Sequence, residues 1–140
     1  MLMKVLFVCK SNFGRSQIAE AIFNSVSKEH VATSAGAIQD RVTNFKLMDF
    51  PEHENLFTCM DEIGIELRNQ IAKQLTLEMV DESDKIIVMA EREFWPEFLQ
   101  NSDKVTYWEI EDMCNKSLES YREARDQIRD LVEGLAEELG

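Results

Sequence analysis

The chain has 140 residues, 44% of them hydrophobic, and its 27 Asp and Glu against 15 Lys and Arg leave a formal net charge of −12. That apolar share suits a single globular domain over residues 1–140. The acidic balance argues against nucleic-acid and anionic-membrane partners, which need a basic face. The three cysteines, Cys9, Cys59 and Cys114, lie far apart, and with two histidines and no C-x-x-C pair they form neither a disulfide framework nor a zinc pattern. A reduced, cytoplasmic chain without a metal or other cofactor is expected.

The first element is "MKVLFVC" (3–9), a continuous apolar run of the kind that forms a strand buried on both faces. From Ser16 onward, Ile18, Ala19, Ile22, Phe23 and Val26 recur at helical spacing. "VATSAG" (31–36) reads as a second strand, followed by a polar stretch holding Pro51. Leu56, Met60 and Ile63 then mark a helix that Gly64 ends, and "LTLEMVDESD" (75–84) reads as a short helix. "KIIVMA" (85–90) is a third strand, "EREFWPEF" (91–98) a helix and "KVTYWEI" (104–110) a fourth strand. Leu118, Tyr121, Ile128, Leu131, Leu135 and Leu139 lay an apolar stripe along a last helix. Alternating strands and helices predict a three-layer α/β domain, a parallel sheet of about four strands with helices on both faces. Ligands of such folds bind at the carboxyl ends of the strands. Cys9 closes the first strand and "EDM" (111–113) follows the fourth, so both reach that edge.

The loop "CKSNFGRS" (9–16) joins the first strand to the first helix. Backbone N–H groups in such a loop converge, and the helix dipole adds partial positive charge, so an oxyanion is held there. Asn12 and Gly14 tolerate the left-handed backbone this demands. Arg15 can grip two oxygens of a phosphate-like group at once. Lys10, Ser11, Asn12, Phe13, Gly14, Arg15 and Ser16 form the candidate phosphate-binding run. Cys9 at its floor is favoured as a thiolate and can act as a nucleophile through a covalent intermediate. Ser16 can hydrogen-bond that thiolate. Neither Cys59 nor Cys114 has an arginine six residues on.

The stretches "VCKSNFGRSQIAE", "TSAG", "GIELRNQIAKQLT", "DKIIVM" and "WEIEDM" fall in an order that resembles the low-molecular-weight protein tyrosine phosphatases, over nearly the whole chain. The family pattern is roughly C-x-G-N-x-C-R-S-P near the N-terminus, with Asp-Pro before the last helix; Cys9, Asn12, Arg15 and Ser16 match it. The resemblance implies a nucleophilic Cys9, a phosphate-binding Arg15, a loop held by Asn12 and a thiolate stabilised by Ser16. It makes Asp112 the acid that protonates the leaving group and then activates water, with Glu111 and Glu109 as competitors. The implied substrate is a phosphorylated protein, most simply phosphotyrosine, or a small phosphate ester.

The chain departs from the pattern at several places. Ser11 replaces a glycine, Gly14 replaces the second loop cysteine, and Met113 stands for the proline after Asp112. Asp40 and Arg41 occupy the region where relatives carry an aromatic wall, leaving Phe45, Phe50 or Phe13 to take that part. Thioredoxin-coupled arsenate reductases share the fold and loop but use two further cysteines after the third strand, where this chain reads "VMAEREFWPEF". A non-catalytic oxyanion-binding regulatory module is the remaining alternative. Cys114 is read as a small apolar residue tucked beneath the last helix, so oxidation is expected to carry Cys9 irreversibly to sulfinic acid.

Overall fold

The computed structural model describes residues 1–38 and 45–140. Its elements in chain order are β1 (Lys4–Cys9), α1 (Arg15–Val26), β2 (Val31–Gly36), α2 (Glu54–Asp61), α3 (Leu77–Glu82), β3 (Lys85–Val88), α4 (Glu97–Gln100), β4 (Val105–Tyr107) and α5 (Leu118–Leu139). Single 3-10 turns cover Leu47–Asp49, Pro51–His53 and Arg92–Phe94. The four strands form one parallel sheet in the order β2-β1-β3-β4. Among the described residues no helix is long and apolar enough to cross a membrane.

The side-chain alternation of the two central strands builds the three layers. Val5 and Phe7 of β1, with Ile87 of β3, face a core shared with α1, α2 and α5. Leu6 and Val8, with Ile86 and Val88, face a second core closed by Val80 of α3 and Leu99 of α4. Both faces of these strands are therefore dry, as the unbroken apolar runs require. Tyr121, Ala124, Ile128, Val132 and Leu135 form the buried stripe of α5. Leu131, three residues after Ile128 and four before Leu135, sits at the margin of this stripe and is 37% exposed. Ser117 caps α5 by accepting the Ser120 N–H at 3.2 Å. The outer edge of β2 is closed by Asn24 of α1, whose amide donates to the Ala32 carbonyl (3.1 Å) and accepts the Ala32 N–H (2.9 Å).

The segment predicted as one helix over 91–98 is instead a 3-10 turn and the short α4. Pro96 sits between them in extended geometry, at φ −66° and ψ 158°, and this breaks the run. The strands predicted at 85–90 and 104–110 end early, at Val88 and Tyr107. The residues beyond them turn across the carboxyl edge of the sheet, and the backbone there serves the site below.

Candidate active site

Cys9 is the last residue of β1 and pairs in register with Gly36, the last of β2. Close approach is needed here: a Cβ on Gly36 would stand 2.7 Å from the Ser11 carbonyl carbon and 3.0 Å from both Asn12 N and Lys10 O. The loop from Lys10 to Gly14 then turns into α1. Gly14 occupies the N-cap position without a side-chain cap, so no side chain competes with an anion there.

Asn12 holds the loop in the left-handed region, at φ 63°. The backbone N–H of Lys73 donates to Asn12 Oδ1 at 2.9 Å, which identifies that atom as the oxygen. Nδ2 therefore faces the two serines, donating to Ser16 Oγ (2.7 Å) and Ser34 Oγ (3.0 Å). The Ser34 hydroxyl in turn donates a hydrogen bond to Glu20 Oε1 at 2.7 Å. Ser16, having accepted from Asn12, has its proton left for Cys9 Sγ, 2.9 Å away.

Arg15 is only 2% exposed. Its Nη1 donates to the carbonyls of Met89 (2.7 Å) and Ile110 (3.0 Å), the backbone just beyond β3 and β4. Glu91 approaches the same guanidinium at 3.3 and 3.4 Å. Asp112 Oδ2 lies 3.8 Å from Arg15 Nη2, while Oδ1 accepts the Cys114 N–H at 3.0 Å. Of the three candidate acids, Asp112 lines the cavity over Cys9, whereas Glu111 is 82% exposed and pairs with Lys116. Met113, 2% exposed, packs against the loop, its Cε 3.3 Å from where a Gly14 Cβ would be.

Cys9, Ser11, Phe13, Gly14 and Arg15 line this cavity of about 470 Å³, which includes its open mouth. Lys10 of the expected run does not line it; its ammonium sits 4.5 Å over the Phe94 ring. Asn12 and Ser16 are fully buried and support the loop from behind. Phe13 lies nearly parallel to His53 at 4.5 Å and meets Phe50 edge-on at 5.1 Å. One wall is thus Phe13 with His53, and Phe50 buttresses Phe13. Phe45 is 48% exposed and does not line the cavity, and Asp40 and Arg41 lie outside the described residues. His53 and Tyr121 line the cavity and had not been singled out for the site. Nothing in the pattern marks His53, and Tyr121 reads as one more apolar position of α5. Burial first, then the nearby Cys114 and Asp112 charges, push the Tyr121 phenol up to about 12. Glu91 could have been found from its place just past β3 at the carboxyl edge.

Cys114 corrects the expectation for it. It is exposed and lines the same cavity as Cys9, in a segment where Asn115 has φ 64°. Cys59 is buried, and desolvation first of all raises its thiol to about 11. Among the described residues no three His, Cys, Asp or Glu side chains are placed to hold a metal ion.

Residues 4–140 match the family model described as low molecular weight phosphotyrosine protein phosphatase. The chain belongs to that family. It is 30% identical over 135 residues to the glutaredoxin arsenate reductase of Synechocystis sp., covering 94% of this chain and 95% of the relative. The structure of the low molecular weight protein tyrosine phosphatase from T. tengcongensis superposes with a TM-score of 0.80 at 28% identity, over 97% of this chain and 99% of that one. The arginine phosphatase from Geobacillus stearothermophilus gives 0.80 at 27% identity, over 98% and 92%. Family and neighbours make this chain a phosphatase-like enzyme.

Proposed function

We propose that this protein hydrolyses phosphate monoesters without a metal, through a cysteinyl-phosphate, and that its substrate is phosphotyrosine on proteins. The observation that carries the reading is the Ser16 hydroxyl aimed at Cys9 beneath an uncapped helix N-terminus, with the Arg15 side chain beside it. Cys9 Sγ attacks phosphorus in line with the ester oxygen. Backbone N–H groups of the loop and Arg15 take the charge of the equatorial oxygens. Asp112 gives a proton to the leaving oxygen, then removes one from the water that attacks the phosphocysteine. Ser16 lowers the energy of the thiolate as it departs. The Phe13 and His53 wall offers a face to an aromatic leaving group. Residues 1–140 act as one domain.

A second reading, arsenate reduction, is favoured by one specific observation. Cys114 lines the cavity over Cys9, although residues 88–98 contain no cysteine. The test is turnover of p-nitrophenyl phosphate, followed by a panel of phosphotyrosine, phosphoserine and phosphoarginine peptides and arsenate. Cys9→Ser is expected to abolish turnover while keeping phosphate binding, and Arg15→Ala to lose both. Phosphatase activity surviving in Cys9→Ser removes the covalent mechanism. Thiol-dependent arsenate reduction without ester hydrolysis replaces the first reading with the second.

A further inference from the structure

Gln17 stands where the family pattern has proline, one residue after Ser16 in the first turn of α1. Its side chain is fully buried. Nε2 donates to Asn12 Oδ1 at 3.0 Å and to the Ile71 carbonyl at 3.1 Å, while Oε1 is buried and has no hydrogen-bond partner among the described residues. A buried amide oxygen without a donor is costly, and an apolar residue of the same length would avoid that cost. What the amide adds is the donor to Asn12.

That donor reinforces the polarity that the Lys73 N–H gives the relay. Asn12 Oδ1 has two lone pairs, taken by Lys73 N–H and Gln17 Nε2–H. An inverted Asn12 would set its NH2 group against two donors at once, so a single orientation survives. In that orientation both Asn12 protons go to Ser16 and Ser34, and the Ser16 proton goes to Cys9. By tying the Ile71 carbonyl, Gln17 also anchors the segment that carries the Lys73 N–H. We propose that Gln17 is a positioning residue which, through Asn12, fixes the Ser16 hydrogen bond on Cys9 and so sets the reactivity of that sulfur. The proposal rests on Cys9 being the nucleophile.

The experiment compares wild type with Gln17→Met, which keeps length and removes both donor and orphan acceptor. The pH at which Cys9 becomes alkylated by iodoacetamide is read by peptide mass spectrometry, alongside kcat, KM and the melting temperature. The alkylation midpoint is expected to rise by about one pH unit, a tenfold loss of thiolate on its acid side. A kcat loss of about tenfold should accompany it, with KM changed by less than about threefold. The melting temperature should hold or rise, because the orphan oxygen is gone. An alkylation midpoint and kcat equal to wild type overturn the proposal, and so does an activity loss that only follows a loss of stability. For a variant that does not fold, the wild-type protein decides: the Gln17 side-chain amide protons should exchange slowly in ¹⁵N NMR, and rapid exchange overturns the role. Alkylation is read without turnover, so a protein that hydrolyses no ester defeats the functional reading while leaving Gln17 to be judged by the midpoint.

Discussion

Gly36→Ala tests how the sheet supports the phosphate loop. The added Cβ would lie 2.7 Å from the Ser11 carbonyl carbon, about 0.7 Å inside ordinary contact, and 3.0 Å from two more backbone atoms of the loop. No side chain can rotate away, since all three atoms are main chain. Gly36 itself is pinned, donating to Lys73 O and accepting from Leu75 N, both at 2.8 Å. The loop must therefore yield. A 1 Å misplacement of catalytic groups can cost about a hundredfold, so a shift of this size should lower kcat/KM by about 10- to 50-fold. Overpacking of about 1–3 kcal/mol should lower the melting temperature of a 140-residue chain by about 3–10 °C, leaving it folded. The assay is p-nitrophenyl phosphate turnover with inorganic phosphate as competitor, beside thermal unfolding. Gly134→Ala is the control, because no described residue lies within 4 Å of its added Cβ and activity should not change. Wild-type kcat/KM and phosphate inhibition in Gly36→Ala would refute the idea that this contact shapes the loop.

Asp112→Asn should cost roughly 10²–10⁴-fold on phosphotyrosine and much less on an aryl phosphate with a highly acidic phenol; an equal loss on both moves the acid to Glu111 or Glu109. Arg122, then Arg125, hydrogen-bond Glu62 and hold its carboxyl down at about 2 from an ordinary 4.5, so its contribution to stability is full above pH 4.5 and lost as pH falls through about 2. Glu62→Gln should therefore melt lower at pH 7, with a shallower fall between pH 4.5 and 2. Peroxide should convert Cys9 to a sulfenic acid that Cys114 captures as a disulfide with loss of water, so thiol reductant restores activity. Peptide mass spectrometry that finds Cys9 sulfinic acid and no Cys9–Cys114 link refutes this.

Much of the architecture was legible because it rests on local pattern. The apolar runs at 3–9 and 85–90 mark strands buried on both faces, and the 118–139 periodicity marks the helix over them. The short spacing from Cys9 to Ser16 fixes loop, thiol and guanidinium together, since strand, turn and helix N-terminus must follow in that order. Pro96 shows where pattern failed: the apolar spacing of 91–98 suits a helix, but the backbone restriction outweighs it. The partners that immobilise Arg15 were not legible, because two are carbonyls, of Met89 and Ile110, and backbone acceptors leave no mark in a sequence. His53 reaches the cavity through the path of 45–53, where only two single 3-10 turns set direction and no periodicity marks them in the sequence. Cys114 was misplaced for a related reason: it lies in the irregular segment ahead of the Ser117 cap, next to the positive-φ Asn115, where no periodicity marks burial.

A net charge of −12 gives the protein a field that repels a phosphate dianion. The attraction that overcomes it is short in range. Arg15 is 2% exposed, and Glu91 and Asp112 stand 3.3 and 3.8 Å from its guanidinium, so little positive potential reaches solvent. Salt should act on these two components unequally. The Debye length falls from about 30 Å at 0.01 M to about 8 Å at 0.15 M, which screens the long-range repulsion but hardly touches contacts within 4 Å of a buried cation. Coulomb's law in water, with twelve charges acting on a dianion about 18 Å from their centre, gives several kcal/mol unscreened, and screening over that salt range removes about 2 kcal/mol. The value of kcat/KM for a small aryl phosphate should then rise roughly thirtyfold between 0.01 and 0.15 M sodium chloride. Alkylation of Cys9 provides the matched control: the rate with anionic iodoacetate should rise with salt, and the rate with neutral iodoacetamide should stay flat. A kcat/KM that falls with salt would mean that the mouth of the site draws in anions from a distance, and the local account of its electrostatics would be wrong.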